Sequence, residues 1–201
     1  DDEEIRLPSD TLQILHEFLA EKAAAEENLE ENWQLSQFWY DEDTISTLTN
    51  ACRKLATGDD FKIGLFSCPS LYKSISSALR NVYLFEYDQR FLRQDQNCIF
   101  YDYSRGQNNE TLKDFQRFFD LVIADPPFLA EECISKTSAI LLNVLRPGGK
   151  IILCSGIVVR PWAEEFLQLK PCNFHPQHKR NLGNEFASFA NFNLDDFIRR
   201  D

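Results

Sequence analysis

Short, solid apolar runs alternate with amphipathic stretches along most of this chain, and that alternation sets the expected element order. Strands are expected at "KIGLFS" (62–67), "VYLFEY" (82–87), "CIFYDY" (98–103), "DLVIA" (120–124) and "KIILCS" (150–155), where the apolar positions follow no helical period. Helical spacing lies between and after them, at "SLYKSISSALR" (70–80), "TLKDFQRFF" (111–119), "EECISKTSAILLNVL" (131–145) and "PWAEEFLQL" (161–169). The segment "RPGG" (146–149) reads as a turn, and the aromatic-rich "CNFH" and "EFASFANF" read as closing strands. Strands apolar on both faces, alternating with helices, indicate an α/β fold with a mostly parallel sheet covered on both sides. Ahead of this series, Leu12, Leu15, Leu19 and Ala23 share one face of an amphipathic helix that Asp10 can cap. A second helix is expected over about 43–56, with the aromatic segment "NWQLSQFWY" between the two. The expected organisation is an N-terminal helical extension over 1–32 and one domain over 33–201.

In an open α/β sheet the ligand sits outside the carboxyl ends of the strands. Carboxylates end three successive expected strands: Glu86 and Asp88, then Asp102, then Asp125. An acidic pair such as Glu86 and Asp88 can accept from both hydroxyls of a ribose, and Asp102 can accept from an exocyclic adenine amine. Together they point to an adenosine-containing ligand. The first strand nevertheless runs into "FSCPSLYKS", and neither GxGxxG nor GxxxxGK[ST] occurs in the chain. A pyrophosphate cradle therefore has no support, which disfavours NAD and ATP. S-adenosylmethionine has the ribose and adenine without phosphates.

The stretch "FDLVIADPPF" (119–128) ends on a double proline. Proline fixes its own φ and holds the preceding residue extended, so Asp125 and Pro126 are locked in one geometry. The segment Asp125, Pro126, Pro127 and Phe128 can thus present a carboxylate, a rigid carbonyl and an aromatic face to an amine. Such fixed alignment suits an in-line transfer to nitrogen.

Composition narrows the partner. The chain has 201 residues and a net charge of −11, which opposes a polyanion partner and suits a basic protein. The six cysteines are scattered without a CxxC pair, which reads as a reduced, intracellular protein. With no signal-like start or membrane-length apolar run, a soluble, cytoplasmic protein is expected. Cys172, His175 and His178 have helical metal-ligand spacing, but Pro176 and the expected strand spoil it, and no metal is assigned. Asn184, Glu185 and Phe186 either line a substrate channel or begin an edge strand.

The "DPPF" motif resembles the (D/N)PP(F/Y) signature of Rossmann-like, seven-stranded S-adenosylmethionine methyltransferases. With "WQLSQFWY", "LFEYDQRF", "VIADPPFLAEEC" and "RNLGNEFASFANF", the chain is more closely similar to the eukaryotic elongation factor 1-alpha lysine methyltransferase family, from about Trp33 to Phe192. The resemblance implies a mostly parallel methyltransferase sheet with one antiparallel strand, the cofactor S-adenosyl-L-methionine, and elongation factor 1-alpha as protein substrate. It implies Glu86 and Asp88 on the ribose, Asp102 on the adenine amine with Tyr103 beside the ring, and Asp125 to Phe128 around the target nitrogen. The segment "SQFWYDEDT" resembles the cofactor-covering motif of adenine methyltransferases, which places Gln37, Phe38 and Tyr40 near the methionine end, whereas Trp33 and Trp39 read as packing. Ser67 stands in the glycine-free first loop as a further cofactor contact. Two other readings stay open from sequence: adenine methylation on DNA or RNA, and an inactive fold serving as an interaction module. Oligomeric state stays open too, as does whether Asp125 takes a proton or only positions the amine.

Overall fold

In a computed structural model of the chain, residues 31–198 are described, and the expected helix within the N-terminal extension lies outside them. The sheet consists of β1 (Lys62–Phe66), β2 (Asn81–Glu86), β3 (Cys98–Phe100), β4 (Phe119–Ala124), β5 (Leu145–Gly156), β6 (Lys170–Pro171) and β7 (Phe186–Ala190). Their order is β3-β2-β1-β4-β5-β7-β6. The first five strands pair in parallel, and β7 runs antiparallel to both β5 and β6. The reversal of direction from β1 to β2 on one side and β4 on the other opens a crevice at the carboxyl ends of these strands, where ligands of such sheets bind.

The helices are α1 (Glu42–Leu55), α2 (Pro69–Ala78), α3 (Gln89–Leu92), α4 (Glu131–Val144), α5 (Arg160–Leu167) and α6 (Asp195–Ile198). Local chemistry explains where α1 starts and stops. The Asp41 side chain accepts from the Thr44 N–H at 2.8 Å, while Glu42 and Asp43 occupy the first turn and Arg53 and Lys54 the last, matching the helix dipole. Pro69 opens α2 at a position whose N–H has no intrahelical partner.

An aromatic cluster packs across the central strands. Phe66 and Phe85 stack at 4.5 Å, and Phe119 meets Phe85 edge-on at 5.7 Å. All three are fully buried, each contributing about 1.5–3 kcal/mol of burial free energy. Phe66 and Phe85 lie near the carboxyl ends of β1 and β2, while Phe119 opens β4, so the cluster links those strands beneath the crevice.

Three expected elements differ. "TLKDFQRFF" is a 3-10 segment over Glu110–Phe115 rather than an α-helix; Arg117 adopts a left-handed φ of 50° and Phe119 already belongs to β4. "RPGG" is absorbed into β5 as a bulge, since Phe119 pairs with Leu145 but Leu121 with Lys150, and Gly148 supplies a φ of 77°. "CNFH" is not a strand. Only Lys170–Pro171 pairs with β7, after which the Cys172 N–H still donates to the Ser188 carbonyl at 2.9 Å before the chain turns away.

Candidate functional site

Main-chain bonds tie four strand ends together. The Ser67 N–H donates to the Phe85 carbonyl at 2.9 Å, the Tyr101 N–H to the Glu86 carbonyl at 3.1 Å, and the Asp125 N–H to the Phe66 carbonyl at 3.0 Å. Above this row lies a cavity of about 470 Å³, within the ordinary range for a small-molecule site. Of the residues expected from sequence, Gln37, Phe38, Ser67, Glu86, Asp102, Tyr103 and Asp125 to Phe128 line it; Tyr40 and Asp88 do not.

The strand-end acids sit in different surroundings. Glu86 is 4 % exposed, and its Oε1 accepts from the Tyr87 and Asp88 N–H groups, both at 3.0 Å. Burial pushes its carboxyl up to about 7; those backbone donors pull against the shift and the neighbouring Asp88 charge adds to it. Asp88 is committed to the protein. Its side chain accepts from the Arg90 N–H at 3.0 Å, from the Arg90 guanidinium at 2.7 Å and from Gln37 Nε2 at 3.0 Å. Burial would raise the Asp88 carboxyl, but the Arg90 and Gln37 hydrogen bonds outweigh it and hold the group below the usual range. Asp102 caps the 3-10 turn at Tyr103, accepting from the Ser104 N–H at 2.9 Å and hydroxyl at 2.7 Å, while its residue still reaches the cavity wall.

Asp125 keeps an accessible face and is otherwise enclosed. Its Oδ2 accepts from the Tyr40 hydroxyl at 2.7 Å. Burial pushes its carboxyl up to about 8, with the Tyr40 hydrogen bond opposing the shift and the Glu86 charge reinforcing it. Phe128 stays 47 % exposed at the mouth, where its ring meets Tyr103 at 5.8 Å. The loop carrying it is seated by Gly156, because a Cβ there would lie 2.9 Å from the Leu129 side chain.

Residues 32–40 close one side. Gln37 links this segment to the end of β2 through Asp88 and accepts from the Asn32 N–H at 3.0 Å. Tyr40 forms an antiparallel bridge with His178, and the Asp41 N–H donates to the Gln177 carbonyl at 2.9 Å. Trp39, expected only to pack, reaches the cavity. Asn184 and Phe186 line it as well, while Phe186 begins β7, a strand flanked on both sides. Residues that sequence reasoning missed include Tyr87, Tyr101, His178 and Leu182. The first two directly follow Glu86 and precede Asp102, so adjacency to the strand-end acids was the available signal; His178 and Leu182 enter only through the tertiary path of the closing loop. Among the described residues no three His, Cys, Asp or Glu side chains gather as a metal ion would need, and no helix is long and apolar enough to cross a membrane.

The arrangement offers a small-molecule cavity over parallel strand ends with a buried carboxylate beside a rigid, aromatic-tipped loop. Comparison with known proteins agrees with that geometry. Residues 31–194 match a family model described as "Probable N6-adenine methyltransferase". The chain is 46 % identical over 219 residues to a protein-lysine N-methyltransferase of Drosophila melanogaster, covering 98 % of each chain. It is 40 % identical over 209 residues to EEF1A lysine methyltransferase 1 of Homo sapiens, covering 96 % of this chain and 94 % of that one. Among solved structures, a TehB-like SAM-dependent methyltransferase from Corynebacterium glutamicum superposes with a TM-score of 0.52 at 17 % identity, over 72 % of this chain and 85 % of that one. At that identity the likeness concerns the fold.

Proposed function

This chain belongs to the family described as "Probable N6-adenine methyltransferase", and we propose that it methylates a lysine ε-amine of translation elongation factor 1-alpha, using S-adenosyl-L-methionine as methyl donor. The observation that carries this reading is the 46 % identity, spanning 98 % of both chains, to a relative named for protein-lysine methylation. A relative named for this elongation factor matches over nearly the same length. The cytoplasm, where translation takes place, is the corresponding site of action.

The residues present suit such a donor. Glu86 is a buried acceptor at the end of β2 whose Oε1 is held by backbone donors, so the carboxylate is pre-oriented toward ribose hydroxyls. Asp102 and Tyr103 form the adenine side, and Gln37, Phe38 and Ser67 the methionine side. Tyr40 and Asp88 lie behind this wall, as supports for Asp125 and Gln37. When bound, the donor supplies an electrophilic sulfonium methyl group. The chain's part is to receive the amine: Asp125 and the Pro126 carbonyl accept its hydrogens, and Phe128 packs along the lysine stem and excludes water. A free lysine, with a pKa near 10.4, arrives mostly as ammonium. Burial disfavours that charge while the Asp125 carboxylate favours it; before the nitrogen can attack the methyl group its ammonium proton passes to Asp125 or to solvent water.

The family's description favours a second reading, transfer to the exocyclic amine of adenine. The net charge of −11 weighs against it, because nucleic-acid affinity comes from neutralised phosphates. Incubation with methyl-labelled donor in a lysate, with and without nuclease, separates the two. Label on a lysine-containing fragment of elongation factor 1-alpha, insensitive to nuclease, is the expected result; label that nuclease removes would transfer the assignment to nucleic acid.

A further inference from the structure

We propose that Tyr40 is a positioning residue for methyl transfer: its phenol holds Oδ2 of Asp125, so that Oδ1 is the oxygen presented to the incoming amine. The proposal deepens the reading above and rests on Asp125 as the group that receives the acceptor. Tyr40 lies 85 residues away in sequence, is 1 % exposed, and stands 2.7 Å from that oxygen. Residues 126 and 127 are both proline, so the N–H groups that usually satisfy a loop aspartate are missing at Asp125. The phenol takes their place from outside the loop.

Tyr40 is itself fixed. Its backbone is bridged to His178, its ring lies 5.1 Å from the His178 ring, its N–H donates to Ser70 Oγ at 3.4 Å, and α1 begins directly after it under the Asp41 cap. A side chain held this firmly can set the direction of a carboxylate it touches. Burial, with Asp125, Cys154 and Cys68 nearby, raises the phenol well above its ordinary range, so it remains a donor at any working pH. The groups facing the pair are Glu86 from β2, Cys68 from the β1–α2 turn, Cys154 from β5, and His178 against Tyr40. Both thiols are pushed up by burial and stay neutral, which leaves Glu86 as the charge that opposes ionisation of Asp125 and Tyr40 as the donor that favours it.

The test is the pH profile of single-turnover methylation in Tyr40→Phe, with cofactor affinity and melting temperature measured alongside. A carboxylate is needed to receive the amine, so activity rises as Asp125 ionises, and removing the phenol should move that rise to higher pH by about one unit or more. The rate at neutral pH should fall about tenfold or more and recover toward the parent in alkali, with cofactor affinity within a few-fold. Replacing Tyr40 by difluorotyrosine, which keeps the ring and donates more strongly, should move the rise the opposite way; this variant carries the test if Tyr40→Phe does not fold. A profile that superposes on the parent, or a loss equal at every pH, overturns the proposal. Carbon-13 NMR titration of the Asp125 carboxyl in both proteins reads the pairing without any substrate: a titration unchanged by Tyr40→Phe overturns it, whichever acceptor the enzyme uses.

Discussion

Replacing Glu86 with glutamine should stabilise the free protein and weaken its cofactor binding at the same time. The carboxyl is 4 % exposed, and its value is raised from 4.5 to about 7. Below about pH 4.5 the group is protonated in both folded and unfolded chains, and its favourable contribution is fully present. Between 4.5 and 7 the folded protein holds a proton that the unfolded chain has released, so stability falls as pH rises. Above 7 the loss is complete. A difference of 2.5 units, at 1.36 kcal/mol each, makes it about 3 kcal/mol. Glutamine cannot ionise and so escapes this cost, and the stronger bonds that the charged form accepts from the Tyr87 and Asp88 N–H groups are already contained in the net shift. The net expectation is that Glu86→Gln is more stable than the parent at pH 8.5 by about 3 kcal/mol, and that this advantage all but vanishes at pH 4.5. Cofactor affinity should meanwhile fall by about 1.5–3 kcal/mol, the scale of a hydrogen bond to a charged group. Urea unfolding at the two pH values gives the first quantity and calorimetry the second. A folded Glu86→Gln protein whose stability tracks the parent at both pH values, with unchanged cofactor affinity, would refute both the burial argument and the ribose assignment.

Asp125→Ala should cost orders of magnitude in single-turnover rate while cofactor affinity stays within a few-fold, as rapid quench and calorimetry would show; near-parental turnover would remove the acceptor role of the loop. Ser67→Gly should raise stability by about 0.5–1 kcal/mol in urea unfolding, because Ser67 holds a left-handed φ of 58° that glycine adopts without a Cβ penalty; a clear loss would mean that the side chain contributes more than the strain costs. Glu42→Lys with Asp43→Lys should lower kcat/KM on elongation factor 1-alpha and flatten its decline with salt, since both residues are exposed at the start of α1 and a basic substrate is steered by acidic charge. Asp41 is left intact because it caps that helix, and faster methylation of an adenine oligonucleotide than of any protein by the charge-reversed enzyme would favour nucleic acid as substrate.

Much of the fold was legible because its central strands are buried on both faces. Residues 63–66 and 121–124 are buried without interruption, so each strand appears as a solid apolar run that no surface helix would show. The three departures share a cause: each is decided by tertiary packing, flanking prolines or strand pairing and not by local periodicity. Phe115 and Phe118 look like one face of a helix, yet they pack on Tyr83 and on each other, and the chain needs the Arg117 turn to reach β4 in time. In "CNFH" the aromatic content suggests a strand, but Pro171 and Pro176 bracket it and remove the donors that a longer ladder requires. "RPGG" carries ordinary turn residues; only its pairing with β4 could reveal a bulge.

The site shows how far a strand-end carboxylate can be interpreted without its partners. What separates these acids is the donor that the chain places just beyond each of them. Asp88 meets the N–H and guanidinium of Arg90 two residues on, and Asp102 meets the N–H and hydroxyl of Ser104, again two residues on. Both acids spend acceptor capacity on their own loops, which makes Asp88 a brace and leaves Asp102 as part wall and part cap. Glu86 meets two backbone N–H groups through one oxygen, with the Gln37 side chain as a further donor to the carboxylate. Asp125 is followed by two residues that have no N–H at all. An aspartate there lacks the two nearest N–H groups of its own loop, so its enclosed oxygen needs a donor from another segment, and an unmet polar group there would cost a few kcal/mol. Tyr40 supplies one such bond. The double proline thus does more than stiffen the turn: by withholding local donors it leaves one side of the carboxylate free of loop bonds, as the proposed amine-receiving role requires, and it makes Asp125 depend on a distant tyrosine that no local spacing rule would connect to it.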